Sequence, residues 1–264
     1  MTGGAEGGDR TDYSSYLLID DLLRLQRPLT EGADDELLFI VVHQAYELWF
    51  KLLLHELGLA RDHLLQGACW LATPRLRRAV AIDELLLGQL KVLETMSPEG
   101  FLAFRDPLAP ASGFQSEQFR EIELLSGGGP PPTGGLHPGG ETADRLARQR
   151  DGPTLWEATL RSLAAHDLLA REPGPAGPAL VRQAVGAIYG SHDDPVRAHF
   201  HELFELLVDH DEALARWRHH HMMMAAREIG RRPGTGGSLG VAYLEQTVAQ
   251  RFYPVLWEIR SELE

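Results

Sequence analysis

Three consecutive histidines, His219, His220 and His221, follow Trp217-Arg218 and precede three methionines in a stretch with helical periodicity. Successive helical residues point about 100° apart, so three adjacent imidazoles cannot converge on one ion, and a chelating triad is excluded. Two readings stay open: a His-rich face turned to water, or one histidine turned inward as the lone axial ligand of a heme iron, as in globins and peroxidases. Met222 to Met224 read as core filler. The chain holds one cysteine, Cys69. That excludes an internal disulfide, a CxxC redox pair and a CxxCH attachment, so a bound cofactor would be held noncovalently. His43 breaks an apolar run and reads either as a core or solvated histidine or as a neutral imidazole aimed into a pocket, where it exchanges one hydrogen bond. Arg105 stands between a short helix and a Pro-rich loop. There a guanidinium clamps a carboxylate with two parallel hydrogen bonds or makes a surface ion pair. The loop GTGGSLG, Gly234 to Gly240, offers backbone amides to an anion. It follows no strand and lacks the Lys-Ser/Thr of a Walker loop, so neither a P-loop nor a dinucleotide fold is supported.

These residues need helices to position them. From Glu36 to about Leu65 the polar residues His43, Glu47, Lys51 and His55 recur every four positions in an apolar background, which predicts a buried helix. Thr73-Pro74 reads as the cap and first turn of a second long helix ending near Thr95. Ser97-Pro98-Glu99 restarts helix to Arg105, an irregular loop through Pro107, Pro110 and Gly113 follows, and helix returns over Gln115 to Leu125. Eleven of the fifteen residues 126–140 are Gly or Pro, and the connection 126–152 is expected to be a flexible loop. Helices are expected over Thr154 to Ala170, Pro178 to Tyr189, Pro195 to Ile229 and Val241 to Leu263. No segment alternates as a strand does, so the fold class is all-α. The expected organisation is a disordered tail over 1–12 and a single helical domain over 13–264.

Composition narrows the partners. The 264 residues carry 38 acids against 25 Lys plus Arg, a formal charge of −13, without a basic run. Nucleic acid is not an expected partner. The longest uninterrupted apolar run, Leu37 to Val42, falls far short of the roughly twenty residues of a membrane span. Neither a basic n-region nor an apolar h-region marks the N-terminus, so the expected location is the cytoplasm.

Five blocks in order, YSSYLLIDDLL from Tyr13, DELLFIVVHQAYELWFK from Asp35, MSPEGFLAFRDPLAPASGFQSEQFREIE from Met96, WRHHHMMMAAREIG from Trp217 and GTGGSLGVAYL from Gly234, resemble the tryptophan 2,3-dioxygenase family. The resemblance implies a helical, heme-binding homotetramer. It also implies an activity, cleavage of the indole C2–C3 bond of L-tryptophan or a close derivative by O2 to give N-formylkynurenine, the opening step of tryptophan catabolism by the kynurenine route. By resemblance His221, from the Trp-Arg-x-x-His motif, is the axial ligand of a noncovalent heme b whose active state is Fe(II). His43 bonds the indole N–H and Arg105 the substrate carboxylate. Thr235 contacts the ammonium and carboxylate, Phe39 and Phe101 form the aromatic wall, and Ser112 lies near the heme. Tyr13, Tyr16 and Leu17 belong to a segment that covers the neighbouring subunit's site. Three departures stand out: Leu239 where the family commonly has a small polar residue, Glu245 in place of an arginine, and the Gly/Pro-rich 126–152 connection. They leave the identity of the indole substrate open; beside the first reading the resemblance also admits a second, a heme-dependent monooxygenase acting on a substituted tryptophan in secondary metabolism.

Overall fold

Three long helices hold the core, and their buried residues recur at intervals of three and four, the spacing that lets neighbouring helices interlock. The structure, a computed structural model, describes residues 12–129, 140–170, 177–190 and 193–263. In chain order come α1 (Tyr13–Leu17), α2 (Ile19–Leu22), α3 (Asp35–Leu65), α4 (Cys69–Leu93), α5 (Pro98–Leu108), α6 (Glu117–Ser126), α7 (Gly140–Asp151), α8 (Leu155–Ala165), α9 (Gly177–Tyr189), α10 (Pro195–Ile229), α11 (Val241–Val248) and α12 (Pro254–Glu258). No strand occurs among the described residues, as the sequence predicts.

The connection between α3 and α4 is too short for anything but an antiparallel hairpin. Along α3 the residues Val42, Tyr46, Phe50, Leu53, Leu57, Ala60 and Leu64 are buried, and along α4 Ala72, Leu76, Ala79, Leu86 and Leu90. The long α10 also packs on α4, and α8 and α6 pack on α3. Truncating one such core leucine, Leu57→Ala for example, removes its packing and leaves a cavity, at a cost of about 2–5 kcal/mol. Glu56 is tied across the hairpin to Arg78 at 2.7 Å and Arg75 at 3.3 Å. Its burial opposes ionisation, but the two guanidinium groups outweigh it and hold the carboxyl below its ordinary pKa. By length and composition α3 could cross a membrane, which the run-length criterion missed. Here it lies against α4, α6 and α8 and carries Glu47, Lys51 and Glu56.

Polar side chains staple α10 into place. The buried His210 donates from Nδ1 to the Asp83 carboxylate at 2.6 Å and accepts at Nε2 from the Ser126 hydroxyl at 3.0 Å. Burial pushes the Asp83 carboxyl above its ordinary pKa, and His210 opposes that rise. The next residue, Asp211, accepts from the backbone N–H of Phe252 at 3.0 Å and of Tyr253 at 3.3 Å, and from Trp257 Nε1 at 2.9 Å.

Several boundaries differ from expectation. Helix α4 begins at Cys69 with Pro74 inside it. Cys69, Ala72, Leu76 and Ala79 bury as one stripe, and that packing overrides the break a proline favours. The flexible loop expected over 126–152 is corrected at both ends. Helix α6 runs to Ser126 and closes on Gly127 at φ 106, and residues 140–151 form α7. Between Glu141 and Asp151 no Gly or Pro interrupts, the acid comes early and the arginines late as the helix dipole favours, and Arg145 pairs with Glu121 and with Glu117 of α6. The part from 130 to 139 lies outside the described residues, as does the expected tail up to residue 11. The single C-terminal helix is instead broken into α11 and α12, because Asp211 captures the peptide groups of Phe252 and Tyr253 and Pro254 starts a new helix.

Candidate active site

One cavity of about 480 Å³ opens between α3, α5, α6, α10 and α11 and is lined by His43, His221, Phe39, Phe101, Arg105, Ser112 and Thr235. Seven of the ten residues the resemblance selects therefore meet in one place. The other three do not. Tyr13 and Tyr16 are each 75% exposed and Leu17 is 43% exposed, and among the described elements α1 makes its main contacts with α2.

On α3 the ring of His43 is locked from two sides. Its Nδ1–H donates to the Phe39 carbonyl at 2.7 Å, and Phe39 lies against it with centroids 4.0 Å apart. A carbonyl can only accept, so the proton of the neutral ring sits on Nδ1 and Nε2 is left as an acceptor. Burial lowers the pKa of His43, against the opposing effects of the Phe39 hydrogen bond and the Glu47 carboxylate. This is the state needed to receive an N–H. Phe101 and Phe104 of α5 back Phe39 at 6.0 and 5.4 Å between centroids and complete an aromatic wall.

On α10 the 100° rule holds: His219 and His220 are exposed, and only His221 lines the cavity. Burial first, and the neighbouring His43 second, push its pKa down to about 4. Two neutral imidazoles thus face one apolar chamber. The three methionines diverge: Met224 is buried and lines the cavity, whereas Met223 is 49% exposed and is not core filler.

The Gly-rich loop is latched to the far wall by the residues expected to hold substrate. Arg105 donates from Nη2 to the Pro233 carbonyl at 2.7 Å, and Thr235 donates from Oγ1 to the Ala111 carbonyl at 2.6 Å. Among the described residues the buried Arg105 Nε has no partner, an unmet donor that a carboxylate satisfies. Gly236 is required by contact, since a Cβ there would lie 2.7 Å from Ser112 Cβ. Leu239 is 73% exposed and does not line the cavity.

Sequence reasoning missed further lining residues. Glu47 lies one turn after His43, in the polar stripe already visible in the sequence, and receives Gln118 Nε2 at 2.8 Å. Deeper, Glu123 is held by Arg120 at 2.5 Å and Arg218 at 3.1 Å. The Arg120 pair is a local i, i+3 contact, but the Arg218 pair spans 95 residues and leaves no local signal.

The donor set tests what the chamber can hold. Among the described residues no group of three or more His, Cys, Asp or Glu could hold a bare metal ion. A neutral imidazole in an apolar chamber suits a metal that brings its own equatorial ligands, as heme does. Fold and cavity together define a class: all-α proteins that close an imidazole-bearing apolar chamber beside an arginine with a buried, unmet Nε donor. The family model described as tryptophan 2,3-dioxygenase matches residues 2–129 and 164–263. Proteins named tryptophan 2,3-dioxygenase from Nocardioides sp., Anaeromyxobacter sp. and Herpetosiphon aurantiacus are 43%, 42% and 40% identical, covering 98%, 100% and 95% of this chain and 97%, 100% and 98% of their own lengths. The chain belongs to the tryptophan 2,3-dioxygenase family. The segment the family model skips, 130–163, contains most of the Gly/Pro-rich connection and α7.

Proposed function

We propose that the protein is a heme-dependent oxidoreductase that opens the indole ring of L-tryptophan with O2 to give N-formylkynurenine, the first step of tryptophan catabolism. The observation that carries this is the meeting, in one apolar cavity, of two neutral imidazoles with Arg105 and Thr235. His221 would hold a noncovalent heme b, active as Fe(II), which when bound supplies the activation that O2 needs to react with a closed-shell indole. The chain's own residues position the substrate. Nε2 of His43 accepts the indole N–H, Phe39 and Phe101 hold the ring plane, and Ser112, which lines the same cavity, would lie beside the cofactor. Arg105 exchanges the Pro233 carbonyl for the amino-acid carboxylate, and Thr235 exchanges Ala111 for the carboxylate and ammonium. Ordering the substrate before reaction removes entropy that would otherwise enter the barrier. No general base is required, because both oxygen atoms of one O2 add to C2 and C3 with no net gain or loss of hydrogen. The names of the relatives favour this outcome over insertion of one oxygen atom. Mass spectrometry of the product formed from L-tryptophan under 18O2 tests it: a gain of both labelled atoms supports dioxygenation, and a single labelled atom overturns it.

The same reading makes the protein a cytoplasmic homotetramer in which the segment from Tyr13 to Leu18 covers a neighbour's site. Support comes from its exposed Tyr13, Tyr16, Leu17 and Leu18 and from an exposed apolar stripe on α3, Leu37, Val41 and Leu48. Deleting residues 1–10 should be silent, whereas deleting 1–18 should lower activity and loosen the oligomer together. A fully active monomer after the longer deletion contradicts the assembly.

A further inference from the structure

His221 is placed differently from most metal-binding histidines. Such a ring ordinarily donates its second N–H to a carboxylate, a carbonyl or water, and that bond fixes its plane and makes it a stronger donor. No described residue makes a hydrogen bond to either nitrogen of His221, and its pKa is moved only by burial and by His43. The ring instead lies flat on Trp217, with centroids 5.0 Å apart and planes 9° from parallel. Trp217 is itself clamped. Phe119 lies 4.9 Å from it, and Trp217 Nε1–H donates to the Tyr46 hydroxyl oxygen at 3.4 Å. Tyr46 in turn donates to the Leu86 carbonyl at 2.8 Å, and burial pushes its phenol up to about 12, so the hydroxyl stays neutral. Leu86, Tyr46 and Trp217 thus connect α4 through α3 to the imidazole on α10.

We propose that Trp217, held by Tyr46, is a positioning residue for cofactor ligation: a flat stack takes the place of the hydrogen bond that would otherwise orient the axial imidazole. This rests on the heme reading above. A stack fixes the ring plane without supplying negative charge, so His221 stays a neutral donor, weaker than an imidazole paired with a carboxylate.

The test compares the hemin-loaded parent protein with Trp217→Leu, Trp217→Phe, Tyr46→Phe and His221→Ala. It reads heme retention from Soret absorbance against an external heme acceptor, and the ferrous iron–imidazole stretching band by resonance Raman. Trp217→Leu should retain heme about ten- to a hundredfold less tightly, as loss of an orienting group does, and should broaden the band. Trp217→Phe restores a flat ring and should recover most of both. Tyr46→Phe should loosen retention less and shift the band. Parent-like retention and band in Trp217→Leu overturn the proposal, and if that variant does not fold, an unshifted band in Tyr46→Phe does so. A parent that takes up no hemin, or a His221→Ala protein that keeps it unchanged, overturns the heme reading itself.

Discussion

Two histidines stand eleven residues apart on α10 and do opposite work. His210 is sealed, with each ring nitrogen bonded to a buried side chain, Asp83 at 2.6 Å and Ser126 at 3.0 Å. His221 faces a cavity with neither nitrogen bonded to any described residue and a pKa near 4. Ser126, His210 and Asp83 have the order of a nucleophilic triad, yet none of them is more than 1% exposed and none lines the cavity. Residue type therefore does not separate structure from function here. Satisfaction does: a buried polar group with all its partners stabilises the fold, and a neutral one that lines a cavity without a partner has bonding capacity left for a ligand.

The sharpest way to break this contrast is to exchange the losses. His221→Ala should abolish heme uptake, read from the Soret band, while the thermal midpoint of the cofactor-free protein barely moves; His219→Ala and His220→Ala should keep the heme. Equal loss in all three would place the ligand elsewhere. His210→Ala should do the reverse. Removing one partner of a buried pair costs about 3–5 kcal/mol, a fall of roughly 10 °C in Tm for a chain of this size, with heme still bound by the folded fraction. Arg105→Ala should leave both the fold and heme uptake intact but weaken kcat/KM for L-tryptophan by roughly a hundredfold. Tryptamine, which lacks the carboxylate, should be a poor substrate even for the parent protein, and equally fast turnover would remove Arg105 from the site.

The smallest effect is one of pH. His221 titrates near 4 in the folded chain against an ordinary 6.5. Between those values the unfolded chain holds a proton that the native one does not, so the stability of the cofactor-free protein should fall as pH drops through that window. His221→Ala should flatten the slope measured by denaturant unfolding across it, leaving the share contributed by His43, whose pKa is also lowered. An unchanged slope would mean that His221 is open to water.

What the sequence disclosed depended on distance along the chain. The long helices were legible because each buries a stripe set by local spacing, and the divergence of His219, His220 and His221 followed once the helix was granted. The choice of His221, like the roles of Arg105 and Thr235, came from the resemblance and not from periodicity. The latch between Arg105 and Pro233 spans 128 residues, and the clamp between Tyr46 and Trp217 spans 171. No window of sequence contains either. Pro74 and the 126–152 connection misled for a related reason: local breakers were weighed without the buried stripe of α4 or the arginine pairs of α7 that outweigh them.

The claim beneath all of this is that the unbonded imidazole, and no other, receives the cofactor. Anomalous diffraction at the iron edge from hemin-loaded crystals measures it directly. A single iron peak per chain is expected inside the cavity, about 2 Å from a ring nitrogen of His221, the usual metal–imidazole distance, with His43 not coordinated. An iron bonded to His43, or lying outside the chamber, would contradict it.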